Sequence, residues 1–366
     1  MLTTALKVLP LLVGALIVAF TALSAVLTMV VPRATPVLLT RWVFVGVREV
    51  FMLRGRHAGS YEQRDRRMAP YAPVSLLTLA FTWLAVVLGG YMLMYWSLGE
   101  RPWRLAFKLS GSSLFTLGFT APPTDLPATA LSFTESGLGL ALLALLISYL
   151  PAIYAAFSRR EAVVASLDVR AGRPPSAVAM LERLSRIKGL GEMHDFWRRW
   201  EEWFVDIEET HTTNPSLVFY RSPVPERSWV TAAGAVLDAA SIIASTVEGP
   251  RQSQAELCIR SGYLTLRRIA GYFGIAYDPD PHPDDPVSIT REEYEAVCER
   301  LAAAGVPLKP DRDQSWRDFV GWRVNYDTVL LALAGLTMAP YAPWSSDRSL
   351  RYRRPPLTRK ATRNRR

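Results

Sequence analysis

Residues 110–121 read Ser-Gly-Ser-Ser-Leu-Phe-Thr-Leu-Gly-Phe-Thr-Ala, a polar stretch between two long apolar segments. A loop bearing Thr, Gly and an aromatic, dipped between two membrane helices, can line a cation-selective pore with backbone carbonyls. Thr116, Leu117, Gly118, Phe119 and Thr120 are the candidate ion-binding residues. The other candidates for chemistry are weaker. Glu208-x-x-His211 is half of a di-iron helix signature, but His194 and His282 have no Glu three positions before them, so a helix-end histidine is expected. Gly189-Leu-Gly191 and Gly137-Leu-Gly139 lack the third glycine and the preceding strand of a nucleotide loop. Cys258 and Cys298 lie far apart with no CxxC, which argues against a zinc site or a disulfide scaffold. Asp238, alone in an apolar helix, reads as a buried hydrogen-bonded partner. Arg221, Arg227, Arg267 and Arg268 read as a solvated face, with an anionic regulator as the alternative. No catalytic residue, no cofactor and no metal beyond a permeant cation are expected.

The candidate loop needs membrane helices on both sides. Residues 6–31 are apolar except for Lys7, and a bilayer core needs about 20 residues. The run is too long for a signal peptide and lacks a clear cleavage site, so a retained span is expected. Residues 74–98 form a second span with Tyr91, Tyr95 and Trp96 at one end, as in an interfacial belt. Residues 137–157 form a third, which Ser132-x-x-Glu135 is expected to open as a capping box and Pro151 to bend. Residues 35–53 are apolar but carry Arg41, Arg48 and Glu49, which suits an amphipathic helix on the membrane surface or a half-inserted hairpin. Arg33, Arg41, Arg48, Arg54, Arg56, Arg64, Arg66 and Arg67 place the first loop in the cytoplasm. The N-terminus is then outside, the C-terminus cytoplasmic, and the protein a multi-pass plasma-membrane protein. Arg101, Arg104 and Lys108 fall outside as a minor exception.

Between the second and third spans, Pro102 suits the first turn of a short helix over 103–115, and Pro122-Pro123 ends any further helix. The partially negative end of that helix would face the bilayer centre and favour a cation there. Residues 73–160, in the order span, short helix, loop, span, resemble the pore module of the potassium-channel superfamily. The family pattern is Thr-x-x-Thr-Val-Gly-Tyr-Gly-Asp. Ser113, in the pore helix, takes the first Thr, and Thr116, Leu117, Gly118 and Phe119 match the filter through its aromatic. Thr120 stands where the family has its second Gly, and Ala121 where it has Asp, which implies an altered outer filter. The resemblance implies passive conduction of K⁺ or another monovalent cation by a homotetramer, since each chain supplies one loop. Asp125 and Glu135 would supply negative charge near the mouth. Gly137, Gly139 and Pro151 would be bending points of the inner helix, or ordinary packing glycines and a kink. The alternative is a membrane-anchored scaffold or signalling protein whose loop does not conduct.

The expected fold class is all-α: three transmembrane helices and a re-entrant pore loop, then a helical cytosolic domain. The expected segments are 1–71, a membrane helix with its basic loop; 72–160, the pore module; 161–341, the helical domain; and 342–366, a disordered basic tail. In the helical domain Ser176 caps a helix to about 188. The helix over 193–211 sets Phe196, Trp200, Trp203 and Phe204 on one face. Residues 228–247 form a buried core helix, Ser253-x-x-Glu256 and Thr290-x-x-Glu293 are capping boxes, and a last helix spans 314–338. The formal charge of the 366 residues is +9, and residues 342–366 carry nine Lys or Arg and one Asp, leaving about +1 elsewhere. The basic character therefore describes a tail suited to anionic lipid, not a specific nucleic-acid-binding domain.

Overall fold

The computed structural model describes residues 2–31, 37–55, 61–100, 102–120 and 125–348. Pro32, Arg33, Arg56, Arg101, Ala121, Pro122, Pro123 and the basic tail from 349 onward lie outside the described residues, as do the side chains of Lys7, Arg54 and Arg64. Every described element is helical except one isolated bridge, Val247 with Leu308. The chain divides into two units between Ala155 and Ala156.

The first unit holds α1 (Leu2–Met29), α2 (Leu38–Gly55), α3 (Tyr61–Met68), α4 (Tyr71–Leu98), α5 (Trp103–Leu114) and the first part of α6 (Leu126–Ala171). Three segments are long and apolar enough to cross a membrane: Val8–Met29, Asp65–Leu98 and Leu126–Ala171. This points to a membrane-embedded protein. The helices α1 and α4 meet through glycines. A Cβ on Gly14 would lie 2.4 Å from the Gly90 carbonyl oxygen, and one on Gly90 would lie 2.7 Å from Val18 Cγ2. Backbones approach this closely only where side chains are small. Polar side chains add specific ties: Trp83 Nε1 donates to Ser24 Oγ at 3.1 Å, and the Thr28 and Thr40 hydroxyls pair at 2.9 Å.

The third apolar helix starts earlier than expected. Asp125 caps α6 by accepting the Ala128 amide at 3.3 Å, so Ser132 and Glu135 lie inside the helix and form no capping box. Pro151 also lies inside α6 without ending it.

The second unit contains the rest of α6, then α7 (Ala177–Arg186), α8 (His194–Thr213), α9 (Trp229–Ser245), α10 (Ser253–Tyr272), α11 (Arg291–Ala303), α12 (Arg312–Arg323) and α13 (Asp327–Thr337). Side-chain caps set several starts: Ser176 for α7, Ser228 for α9, Asp311 for α12, and the full Thr290–Glu293 box for α11. The box expected at Ser253 does not form. Gln252 occupies the cap position, and Glu256 instead takes two hydrogen bonds from Arg251. The single last helix is two, because the Asn325 side chain takes the Gly321 carbonyl of the final α12 turn at 2.9 Å. Helix α9 is buried on all sides, with α7, α10, α12 and α13 around it. On α8, Trp197 joins Trp200, Trp203 and Phe204 in the core.

A buried ion network ties this unit together. Arg323 donates to Asp238 of α9, to Asp327 at 2.7 Å and to the Trp344 carbonyl at 2.6 Å. Tyr326 donates to Asp238 at 2.9 Å. Burial by itself would lower the Arg323 pKa, but the two carboxylates outweigh it and hold the guanidinium above its ordinary value. Asp238 is thus the hydrogen-bonded partner that its lone position suggested. The tie also corrects the expected tail boundary. Ala342 and Trp344 are buried, and Arg348 pairs with Glu293 at 2.8 Å, so residues 342–348 belong to the packed unit.

The expected arginine face is committed within the chain. Arg221 donates to the Thr337 carbonyl at 2.9 Å, Arg227 pairs with Asp168 at 2.5 Å, Arg267 donates to the Asn325 carbonyl at 2.8 Å, and Arg268 pairs with Glu208. His211 is buried. Its Nε2 accepts from Arg160 Nη1 at 3.1 Å, while Nδ1 lies 3.0 Å from Thr210 Oγ1. Thr210 Oγ1 itself donates to the Asp206 carbonyl, so it accepts from Nδ1. Burial, then the adjacent Arg160, pushes the His211 pKa well below its ordinary 6.5.

Two outcomes follow. Arg323→Leu leaves two carboxylates buried without their cation and should cost about 3–5 kcal/mol, read by denaturant unfolding of the full chain followed by near-UV circular dichroism. A loss under about 1 kcal/mol would show that the network contributes little. His211 is neutral when folded, whereas the unfolded chain takes up a proton as pH falls through about 6.5. Stability should therefore decline below that pH by up to about 1.4 kcal/mol per pH unit, and His211→Phe should flatten the decline.

Candidate functional site

Helix α5 ends at Leu114, and the candidate loop follows at once. Its start is fixed by Pro102 in an extended conformation, and Trp96 and Trp103 stack with ring centroids 5.2 Å apart across the α4–α5 turn. Its apolar residues Ala106, Leu109 and Leu114 join the same core as Leu79, Trp83, Val87 and Leu142. Ala106 and Leu109 fall on one face at helical spacing, which is why the short helix packs rather than frays.

The C-terminal half of α5 is gripped by polar groups. Ser110 Oγ donates to Glu135 Oε1 at 2.5 Å, and Tyr95 of α4 donates to Glu135 Oε2 at 3.0 Å. Ser113 Oγ pairs with Ser132 Oγ at 2.8 Å, and Ser136 Oγ donates to the Ser113 carbonyl at 2.8 Å. Glu135 is fully buried, with no ion pair among the described residues. Its expected role as a charge at the mouth is therefore replaced by a structural one: it joins α4, α5 and α6 through two hydroxyl donors. Asp125 remains exposed and acts as the α6 cap.

Of the two candidate hinge glycines, one is a contact. A Cβ on Gly139 would fall 2.2 Å from the Leu114 carbonyl oxygen, whereas one on Gly137 would meet nothing within 4 Å. Gly139 thus lets α6 come against the end of α5. Pro151 lies about three turns beyond these contacts, still within α6.

The loop closes back on α5. The Leu117 amide donates to the Ser112 carbonyl at 2.9 Å, and the Thr116 amide to the Ser113 carbonyl at 3.1 Å. Thr116 and Gly118 take left-handed conformations, with φ of 52° and 68°. For a β-branched residue this is a costly conformation, held here by the surrounding bonds. Thr116 Oγ1 donates to the Phe115 carbonyl at 2.8 Å. Thr120 adopts no left-handed conformation. Its amide reaches Ser112 Oγ at 3.4 Å and its hydroxyl donates to the Lys108 carbonyl at 3.3 Å, so it folds the loop back along α5. Leu117 and Phe119 are 59% and 64% exposed, so their apolar side chains are only partly covered among the described residues.

The candidates Thr116 to Thr120 thus lie together in one exposed turn, with Ser113 beneath it. The supporting residues Tyr95, Ser110, Ser132, Glu135, Ser136 and Gly139 are less visible in sequence. Their signal is the recurrence of polar or small residues every three or four positions on one face of otherwise apolar helices. Among the described residues no group of His, Cys, Asp or Glu is arranged to hold a metal ion. Comparison of the chain with family models, with curated proteins and with solved structures found no match.

Gly139→Ala should force α6 away from Leu114 and cost about 1–3 kcal/mol, while raising deuterium uptake of residues 112–120 in exchange mass spectrometry. Gly137→Ala, in open space, should be neutral or stabilising by up to about 1 kcal/mol. Equal effects of the two substitutions would dismiss the contact as a constraint.

Proposed function

We propose that the chain is one subunit of a homotetrameric cation channel related to the potassium channels, conducting passively through the 116–120 loop. The observation that carries this reading is an exposed loop with left-handed backbone at Thr116 and Gly118, fixed to the end of a short helix that is held between two helices able to cross a membrane. In a membrane the loop would be re-entrant, and irregular backbone at that depth is tolerated where it lines a water-filled cavity. Carbonyls of Thr116, Leu117, Gly118 and Phe119 would replace the hydration shell of K⁺ or another monovalent cation. The end of α5 adds its partial negative charge.

Assembly into four copies would cover apolar surface that is exposed among the described residues. Leu126, Phe133, Leu140 and Ile147 recur every seventh residue along α6 and are 82, 74, 56 and 70% exposed. A seven-residue apolar repeat on one helix suits packing against equivalent helices. Leu117 and Phe119 would be covered by neighbouring loops in the same assembly. The arginine-rich loop between α1 and α4 favours a cytoplasmic position, which sets the N-terminus outside and the helical unit in the cytoplasm, at the plasma membrane. The helical unit would then assemble or regulate the pore. Thr120 favours a second reading, a membrane-anchored scaffold with a non-conducting loop, because its bonds fold the turn back on α5.

Potassium flux into liposomes holding the purified full chain, compared with Gly118→Asp, tests the proposal. The wild type should exceed empty liposomes, and the variant should lose at least about tenfold, since Gly118 occupies a left-handed position that a β-carbon disfavours and a carboxylate would alter the ion path. Absence of wild-type flux, or equal flux from both proteins, would sink the channel reading.

A further inference from the structure

A groove opens in the first unit where α2, α3 and the beginning of α4 meet. Val47, Val50 and Phe51 of α2 face Val74 of α4 across it, and Arg66 and Arg67 from the last turn of α3 also line it. Its volume of about 800 Å³ lies within the range of small-molecule sites, about 300–1,000 Å³. The two arginines are exposed and are the charged groups among its lining residues. Asp65 beside them is buried and accepts from Tyr61 at 3.3 Å. The groove therefore joins an apolar wall to a rim that carries two arginines.

Position narrows the ligand. The apolar helix α4 begins at Tyr71, so Arg66 and Arg67, in the last turn of α3, stand just before the hydrophobic stretch. Thr78, at the other extreme of the lining, is two turns into α4, roughly 10 Å along the helix axis from Tyr71. In a bilayer the rim would lie at headgroup level and the wall would descend into the hydrocarbon. A small free anion would make no use of the valines and Phe51. A neutral lipid would make no use of the arginines. An amphiphile with an anionic head uses both.

We propose that this groove binds an anionic phospholipid, with the phosphate between Arg66 and Arg67 and an acyl chain along Val47, Val50, Phe51 and Val74. The site lies outside the conduction loop and stands whether or not that loop conducts. The basic tail remains intact in every variant below.

Native mass spectrometry of the full chain in detergent, with added phosphatidylglycerol or phosphatidylcholine, reads the site directly. The wild type should retain phosphatidylglycerol in preference to phosphatidylcholine. Arg66→Gln with Arg67→Gln should weaken phosphatidylglycerol retention about thirtyfold, each arginine contributing about fivefold, and weaken phosphatidylcholine, whose choline offsets its phosphate, much less. Val50→Trp keeps both charges but fills the groove from an exposed position, and should weaken retention of both lipids. Glycerol 3-phosphate, the headgroup chemistry without the chains, should compete poorly. Unaltered circular dichroism confirms that each variant is folded. Equal retention of the two lipids by the wild type, indifference to the arginine pair, indifference to Val50→Trp, or full competition by glycerol 3-phosphate would each overturn the proposal.

Discussion

A helix that stops among other helices leaves its last carbonyls without amide donors, and α5 stops in that way. Each is dealt with differently. The Ser112 carbonyl takes the Leu117 amide, and the Ser113 carbonyl takes both the Thr116 amide and the Ser136 hydroxyl. The Leu114 carbonyl lies against Gly139, where any side chain would collide. Satisfying this end dictates the rest of the first unit: a glycine and serines on the facing stretch of α6, and a buried Glu135 that draws in hydroxyls from two further helices. The loop beyond inherits its left-handed turns from the same bonds, since Leu117 can return to Ser112 only if the backbone reverses at Thr116.

The second unit meets a comparable demand with charge in place of hydroxyls. Asp238 lies in the most enclosed helix of the molecule, and its cost there is offset by Arg323 and Tyr326. Arg323 in turn has donors to spare, and spends them on Asp327 and the Trp344 carbonyl. A single guanidinium thus joins α9, α12, α13 and the segment after it. Five donors in a rigid planar fork make this possible, which a lysine could not reproduce.

What the sequence displayed well was local. Apolar length marked the three long helices, and Ser176 and the Thr290–Glu293 pair marked helix starts that form as read. The burial of α9 was legible because its residues are apolar on every face. The clasp around α5 was not, because its partners lie 19 to 40 residues apart and a hydroxyl carries no mark of its distant partner. The pattern Ser132-x-x-Glu135 shows the ambiguity directly. It has the chemistry of a capping box, yet Asp125 starts the helix first and both side chains are taken by α4 and α5. Ser253 and Glu256 repeat the lesson, with Arg251 as the competitor. The break between α12 and α13 was hidden for a similar reason, since Asn325 caps one helix only when the chain turns at that point.

The bond from Arg323 to the Trp344 carbonyl also bears on how the protein is made. A chain emerging from the ribosome delivers Asp238 about a hundred residues before Trp344, so α9 is synthesised well ahead of the group that completes its surroundings. Until Trp344 is out, this apolar helix of the second unit has an incomplete cover. The order of synthesis thus leaves α9, one of the shorter apolar helices, incompletely enclosed until the last segment of the second unit has been made.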